Sequence, residues 1–532
     1  MASHVPSHHH SHHRELLLLS LGDRANYTTT HIVNLCLSQA SESPAARGDA
    51  APLSPFANRI TRGGGPTSGG LPLPRLLVID ASGATMGTNV TQGREALTAS
   101  ERAAAEAWHG TVDLHGADPG DRAPASEFAR LAEEAGDENA VASAASRLDD
   151  PNHVRTWADF LKPRLPPGAV QLLPGIWRDT CHIGLANPVD ALNTWTTTRG
   201  EGDGFVCENA ADAVRTLLER CDNAQGSVVM FADDTPWVGP TAHLLQELRD
   251  MTGTKHHIVA CATSDAGGKS PALSTSCTTG LCASLFLGQA ASDGLVDAYV
   301  PLGVSDPNAT AFEASAYQAT ALEALLTPNA TKHDERPDAA YQAYGVRAGG
   351  TLDELFSPLT RAAGHFVLEA AVAAPATEEL TFDDFRAFTS PILGGNGNAS
   401  VGGGDMDAVA ELYAMRGIGI SRIDELLLQR QRTTSSRCFA GRFAHSEPIA
   451  APIAFPSILC ERTEAHRATL ACAAKLRATR NTRIFEHARE TLRAGRRELR
   501  AWGLDGEEEN YIEALASLDN PDYDDDDDWE EL

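Results

Sequence analysis

Glu15-Leu16-Leu17-Leu18-Leu19-Ser20-Leu21, then Gly22-Asp23-Arg24-Ala25-Asn26, then Tyr27 to Ala40, is the stretch on which the fold turns. The first seven residues, five of them leucine, read as a strand buried on both faces. The next five read as a turn and the remainder as a helix. A strand with no polar face belongs to a parallel sheet, whose crossovers are helices, so the same unit should recur downstream.

It does. Pro74-Arg75-Leu76-Leu77-Val78-Ile79-Asp80 is an apolar strand ending on a carboxylate, followed by the turn Ala81-Ser82-Gly83-Ala84-Thr85-Met86-Gly87. From Ala210 to Asn223, Val214, Leu217, Leu218 and Cys221 mark one helical face, and Ser227 to Ala232 is the next strand. A polar turn from Asp233 to Pro240, a helix from Thr241 to Met251, and strands at His257 to Thr263 and Ala298 to Leu302 continue the alternation. A long helix through Ala316, Ala319, Leu322 and Leu326 then reads as a central helix between two domains. The class is α/β, with a Rossmann-type parallel sheet, and ligands of such sheets sit at the carboxyl ends of the strands, where these turns gather.

At 532 residues the chain exceeds what one core fills, so two or three domains are expected. A formal charge of −29 opposes nucleic acid or an anionic membrane as the main partner. The ten cysteines lack the spacing of a disulfide scaffold, and Cys277 and Cys282, the one ligand-like pair, read as ordinary thiols. No apolar run reaches the roughly 20 residues that span a bilayer, so no transmembrane segment is expected. The leader, with His8-His9-His10-Ser11-His12-His13, could hold a transition metal but reads first as disordered, and it has neither a presequence nor a signal-peptide pattern.

The order of these motifs resembles the tubulin–FtsZ superfamily. Gly22 to Asn26 is similar to the first phosphate loop G-x-x-G-N, and Pro74 to Met86 to the segment P-R-x-x-x-x-D-x-E-P-G-T-M. Cys221 to Gly226, with the strand and helix after it, is similar to the surroundings of the signature G-G-G-T-G-S-G. Asn26-Tyr27 with Thr30-His31, the element Trp157-Ala158-Asp159-Phe160-Leu161, Ala319-Thr320-Ala321-Leu322-Glu323 and the acidic terminus resemble the Misato branch. The organisation expected is a His-rich leader over 1–13, a tubulin-like domain over 14–330 with a long loop at 41–73 and a loosely packed insertion at 100–150, and a second α+β domain over 331–460. A basic helical segment at 461–505 and a disordered acidic tail at 506–532 complete it.

The resemblance implies a nucleotide site at Gly22, Asn26, Asp80, Gly83, Thr85 and Gly239, with Asp80 the one magnesium candidate. Phosphate loops use glycine because a residue without Cβ lets successive N–H groups close on the anion. At the signature position this chain has Asp234-Thr235-Pro236-Trp237-Val238-Gly239-Pro240. Two prolines remove donors, Trp237 adds volume and Asp234 with the preceding Asp233 adds negative charge. Ala25 replaces a glycine, and Ser82 replaces an acid. A vestigial site is expected, with Gly22, Asn26 and Asp80 either tightening turns and capping helices or retaining contact with GTP. No catalytic residue and no cofactor other than GTP is implied, and Asp353 and Glu354 are the only candidates for a hydrolysis motif.

The arginines between Arg462 and Arg500 read either as a docking face for an anionic surface or acidic protein, or as a solvated helix partly neutralised by the chain's own acidic tail; the second is favoured. The resemblance implies a non-catalytic protein of mitochondrial distribution, morphology and mitochondrial DNA inheritance, in the cytoplasm and at the outer, cytosolic face of the mitochondrion, with protein partners. The alternatives are a GTP-binding, filament-forming GTPase of the tubulin/FtsZ type and a scaffold or chaperone-linked factor for tubulin or spindle assembly.

Overall fold

The computed structural model describes residues 15–42, 56, 74–82, 84, 85, 90, 128, 138–150, 152–166, 168–177, 186–199, 204–221, 223–264, 276–303, 308–330, 341–344, 351–377, 379–388, 408–419, 421, 422, 424–426, 428, 439–460, 468–480 and 482–518. The leader, nearly all of the loop at 41–73, most of the insertion, the glycine-rich run 393–404 and the end of the acidic tail lie outside these residues.

The opening unit folds as read. β1 (Glu15–Leu21) runs into α1 (Asp23–Glu42), so the helix starts at once after Gly22 and the expected five-residue turn shrinks to that one residue. β2 (Arg75–Ser82), β3 (Val170–Trp177), β4 (Ala224–Ala232), β5 (His257–Thr263) and β6 (Ala298–Leu302) complete a parallel sheet in the order β3-β2-β1-β4-β5-β6. Leu16 and Leu18 point to one apolar layer, and Leu17, Leu19 and Leu21 to another. Neither face meets water, which is why the strands are apolar without alternation. At roughly 1.5–3 kcal/mol for each buried leucine, these strands dominate the first domain's stability.

Helices cover both faces: α2 (Glu138–Arg147), α3 (Pro188–Thr197), α4 (Val206–Glu219), α5 (Val238–Thr252), α6 (Ser276–Asp293) and α7 (Ala311–Ala330). α7 is the central helix, packing on α1 and on strands of a second sheet. The insertion is tighter than expected where it is described: Ala144, Ala145 and Leu148 are buried in the core.

The second sheet contains β7 (Tyr341–Tyr344), β8 (Glu369–Ala373), β9 (Arg386–Ala387), β10 (Ala408–Arg416) and β11 (Phe439–His445), with α8 (Leu352–Ala363) packed beside it. β12 (Ile449–Ala451) and β13 (Ala468–Leu470) form a separate antiparallel pair. The expectation of a helix from 461 onward is corrected here: β14 (Cys472–Thr479) is a strand, and the second sheet runs β7-β11-β10-β14-β8-β9. Alanine, lysine, leucine and arginine favour helix locally, but β14 lies between two partners with every residue buried, and tertiary pairing overrides that preference. Lys475 therefore faces inward, 3.8 Å from Glu411 and over the rings of Phe382, Phe385 and Tyr413.

Helices resume at α9 (Arg483–Ala494) and α10 (Arg496–Trp502), and the presumed start of the acidic tail is a further helix, α11 (Glu507–Ser517). Ile512 and Leu515 are buried, and Tyr511 lies against Gly288 of α6 so closely that a Cβ there would be 2.6 Å from its own. Enough apolar side chains punctuate the acids to pin the segment. The arginine face is balanced locally: Arg496 pairs with Glu508 and Glu509, and Arg500 with Asp505.

Candidate functional site

In a sheet ordered this way, the crevice for a ligand opens where the connections reverse, between the carboxyl ends of β1 and β4. Gly22 ends the first strand and Asp233 the fourth. Gly22 adopts φ +88°, a left-handed value that favours glycine, and its N–H donates to Ile79 O at 3.0 Å. A Cβ at Gly22 would lie 2.6 Å from Cδ1 of Trp237. The indole thus rests directly on the glycine, fully buried, in the volume an incoming phosphate would need. Its Nε1 is buried without a hydrogen-bond partner.

Asn26 and Asp80 come together as expected, and their bonding is internal. Asn26 Nδ2 donates to Asp80 Oδ2 at 2.8 Å and to Ile79 O at 3.2 Å, while its Oδ1 accepts from Ser20 Oγ at 2.6 Å. Asp80 Oδ2 also accepts from Trp157 Nε1 at 2.9 Å, and Oδ1 from the N–H of Ala81 at 2.8 Å. The carboxylate is fully buried and ties β2, α1 and the short 3-10 turn Trp157–Phe160 together. Trp157 as a partner of Asp80 escaped the sequence reading, because 77 residues separate the two and no local pattern links them.

Gly239 sits in the first turn of α5, where a Cβ would run into Pro188 O at the start of α3. Its smallness serves helix packing. Thr85 is buried beside the end of β2, and Gly83 lies outside the described residues. Asp353 and Glu354 occupy the first turn of α8, where Thr351 and Glu354 cap each other through bonds of 3.1 and 2.8 Å. Asp353 is 3.7 Å from His257 at the start of β5, the end of the sheet opposite the crevice.

Two carboxyl groups stand in the crevice. Asp233 and Asp234 are both buried, and Asp233 Oδ2 accepts from Tyr299 OH at 2.6 Å. Burial, and then the charge of Asp234, raise the Asp233 carboxyl well above the usual range; burial and Asp233 together push the Tyr299 phenol up. Neither carboxyl supplies the positive potential that draws a phosphate. Alongside it, Arg24, Thr263, Ser264, Thr310, Ser315 and Gln318 line a cavity of about 20 Å³, room for about one water. Ser264 Oγ is buried there without a partner. Among the described residues, no cluster of three or more His, Cys, Asp or Glu could hold a metal ion, and no helix is long and apolar enough to cross a membrane.

The chain matches no protein-family model. It is similar to "Protein misato" of Drosophila melanogaster, 30% identical over 95 residues. That alignment spans 18% of this chain and 16% of the length of the fly protein, so what is shared is one segment. On that segment the chain is similar to the Misato family, the resemblance that Asn26-Tyr27 with Thr30-His31, Trp157 to Leu161, Ala319 to Glu323 and the acidic terminus had carried.

Proposed function

We propose that this chain is a non-catalytic, tubulin-like interaction protein with a misato-like role. The observation that supports this reading is the Trp237 indole seated on Gly22, with the buried Asp233–Asp234 pair beside it. A phosphate needs backbone N–H groups and positive potential at that point. Here an aromatic ring and two carboxyl groups take their place. The finer role proposed is mitochondrial distribution, morphology and DNA inheritance, exercised through protein partners at the cytosolic face of the organelle.

Nucleotide content tests it. The purified chain is denatured, its supernatant chromatographed, and a fluorescent GTP analogue titrated against the native protein. No released nucleotide and no saturable binding is the expected result. Near-stoichiometric GDP or GTP would overturn the reading.

A second reading, a GTP-binding, filament-forming GTPase, has the polar cavity around Arg24 and Gln318 in its favour. Polymer that pellets only with GTP would establish it. Co-purification with tubulin or a chaperonin would instead favour the scaffold.

A further inference from the structure

The second sheet meets the first across α1 and α7, and much of the seam is apolar, built from residues such as Leu322, Leu325, Leu326, Leu412 and Leu476. Inside it lies a buried polar layer. Gln39 on α1, Glu323 and Thr327 on α7 and Arg416 at the end of β10 are 4%, 0%, 1% and 2% exposed. Gln39 Nε2 donates to Glu323 Oε1 at 2.6 Å. The guanidinium of Arg416 donates to Thr327 Oγ1 at 3.3 Å, to Gln39 Oε1 at 3.5 Å and to Glu447 O at 3.0 Å. One net thus joins two helices of the first domain to a strand of the second.

Burying these groups is costly, and a buried ion pair contributes little net stability compared with apolar residues of the same volume. What it supplies is position. The face of α7 near this layer is rich in small side chains, Ala316, Ala319 and Ala324, all buried. Leucines packed on alanines tolerate a slide, whereas a guanidinium whose acceptors sit on three different elements has one satisfactory place.

We propose that Gln39, Glu323 and Arg416 form a register lock, which holds the second sheet in one position against α1 and α7. The lock acts on specificity of docking more than on its strength, and it is independent of whether the crevice holds nucleotide.

The test uses the full chain with Arg416→Met, Glu323→Leu and the double variant, read by thermal melting and by native-state amide exchange. Residues 408–416 and 472–479 report on the second sheet and 224–232 on the first. Each single variant removes one of two opposite buried charges and is expected to melt lower. The double variant is expected to recover most of the melting temperature while 408–416 and 472–479 exchange roughly tenfold faster and 224–232 stays unchanged. A double variant with wild-type exchange in both sheets overturns the proposal, as do single variants with unchanged melting and exchange. Should the double variant not fold, Gln39→Leu keeps both charges and removes only the bridge to α1. Faster exchange over 408–416 in that variant supports the lock, and unchanged exchange overturns it.

Discussion

Trp237 and Gly22 are in contact across the mouth of the first sheet, the ring so near that a Cβ on the glycine would be 2.6 Å from Cδ1. The two residues come from different strand ends, so the contact staples β1 to β4 at the point where a ligand would otherwise part them.

Gly22→Ala is expected to destabilise the chain by about 1–3 kcal/mol, from the left-handed backbone and the clash with the indole. Trp237→Ala should cost about 3–5 kcal/mol by leaving a cavity. Urea unfolding of the two singles and the double checks the coupling. The double should cost less than the sum, because the alanine methyl partly fills the space left by the ring.

Asp80→Asn keeps the shape but turns an acceptor toward Asn26 and Trp157 into a group with its own N–H donors. The expected loss is about 1–3 kcal/mol, measured by chemical denaturation. If Asp80 instead held magnesium, adding the ion would stabilise the wild type and not the variant, and no such difference is expected.

Acid should unfold the chain early. Burial lowers the His31 imidazole, enclosed by Phe160, Phe312 and Phe455, to about 3, and burial with Arg249 lowers His256 to about 4. Between about pH 6.5 and those values the unfolded chain takes up protons that the folded chain refuses. The histidine contribution is therefore full above about 6.5 and falls with pH below it, by about 1.4 kcal/mol per unit for each histidine. Asp233 has the opposite sign: its raised folded value means a proton kept by the folded chain and released by the unfolded one, so stability declines as pH rises above the ordinary carboxyl range. Unfolding free energies across pH 4.5–8, with His31→Phe and Asp233→Asn, check both signs. The first should flatten the acid limb and the second the alkaline one.

Truncation tests what α11 contributes. A chain ending at Asp505 loses Ile512 and Leu515 from the core and should be less stable by several kcal/mol, at roughly 1.5–3 kcal/mol for each side chain. A chain ending at Leu518 keeps both side chains and should melt well above it. Calorimetry on the two decides it.

Five strands of the first sheet were readable because strands covered on both faces show as apolar runs, and Leu16 to Leu21 or Val228 to Ala232 can be little else; β3 was missed, since Gln171 and Pro174-Gly175 break its apolar run. Asn26 and Asp80 were readable as neighbours through the resemblance of their loops. β14 was not, since Ala473, Ala474, Lys475, Leu476 and Arg477 carry a helical preference and only Glu411, Glu369 and the flanking strands make them extended. The same holds for α11, where the acids outnumber the apolar residues that anchor it. Trp237 was read as volume in a phosphate loop; that the volume falls on Gly22 follows from the strand order, which no local pattern encodes.

The place of β14 has a consequence for biosynthesis. It is made after β8, β10 and β11, yet it sits between β10 and β8. While the chain grows from its N-terminus, those two strands each present a bare edge of unsatisfied N–H and C=O groups until Thr479 has left the ribosome. Bare edges recruit other strands. The nascent second sheet is thus a natural client for whatever shields unfinished sheets in the cell, and chains cut short before residue 472 should aggregate even though the whole first sheet has already been synthesised.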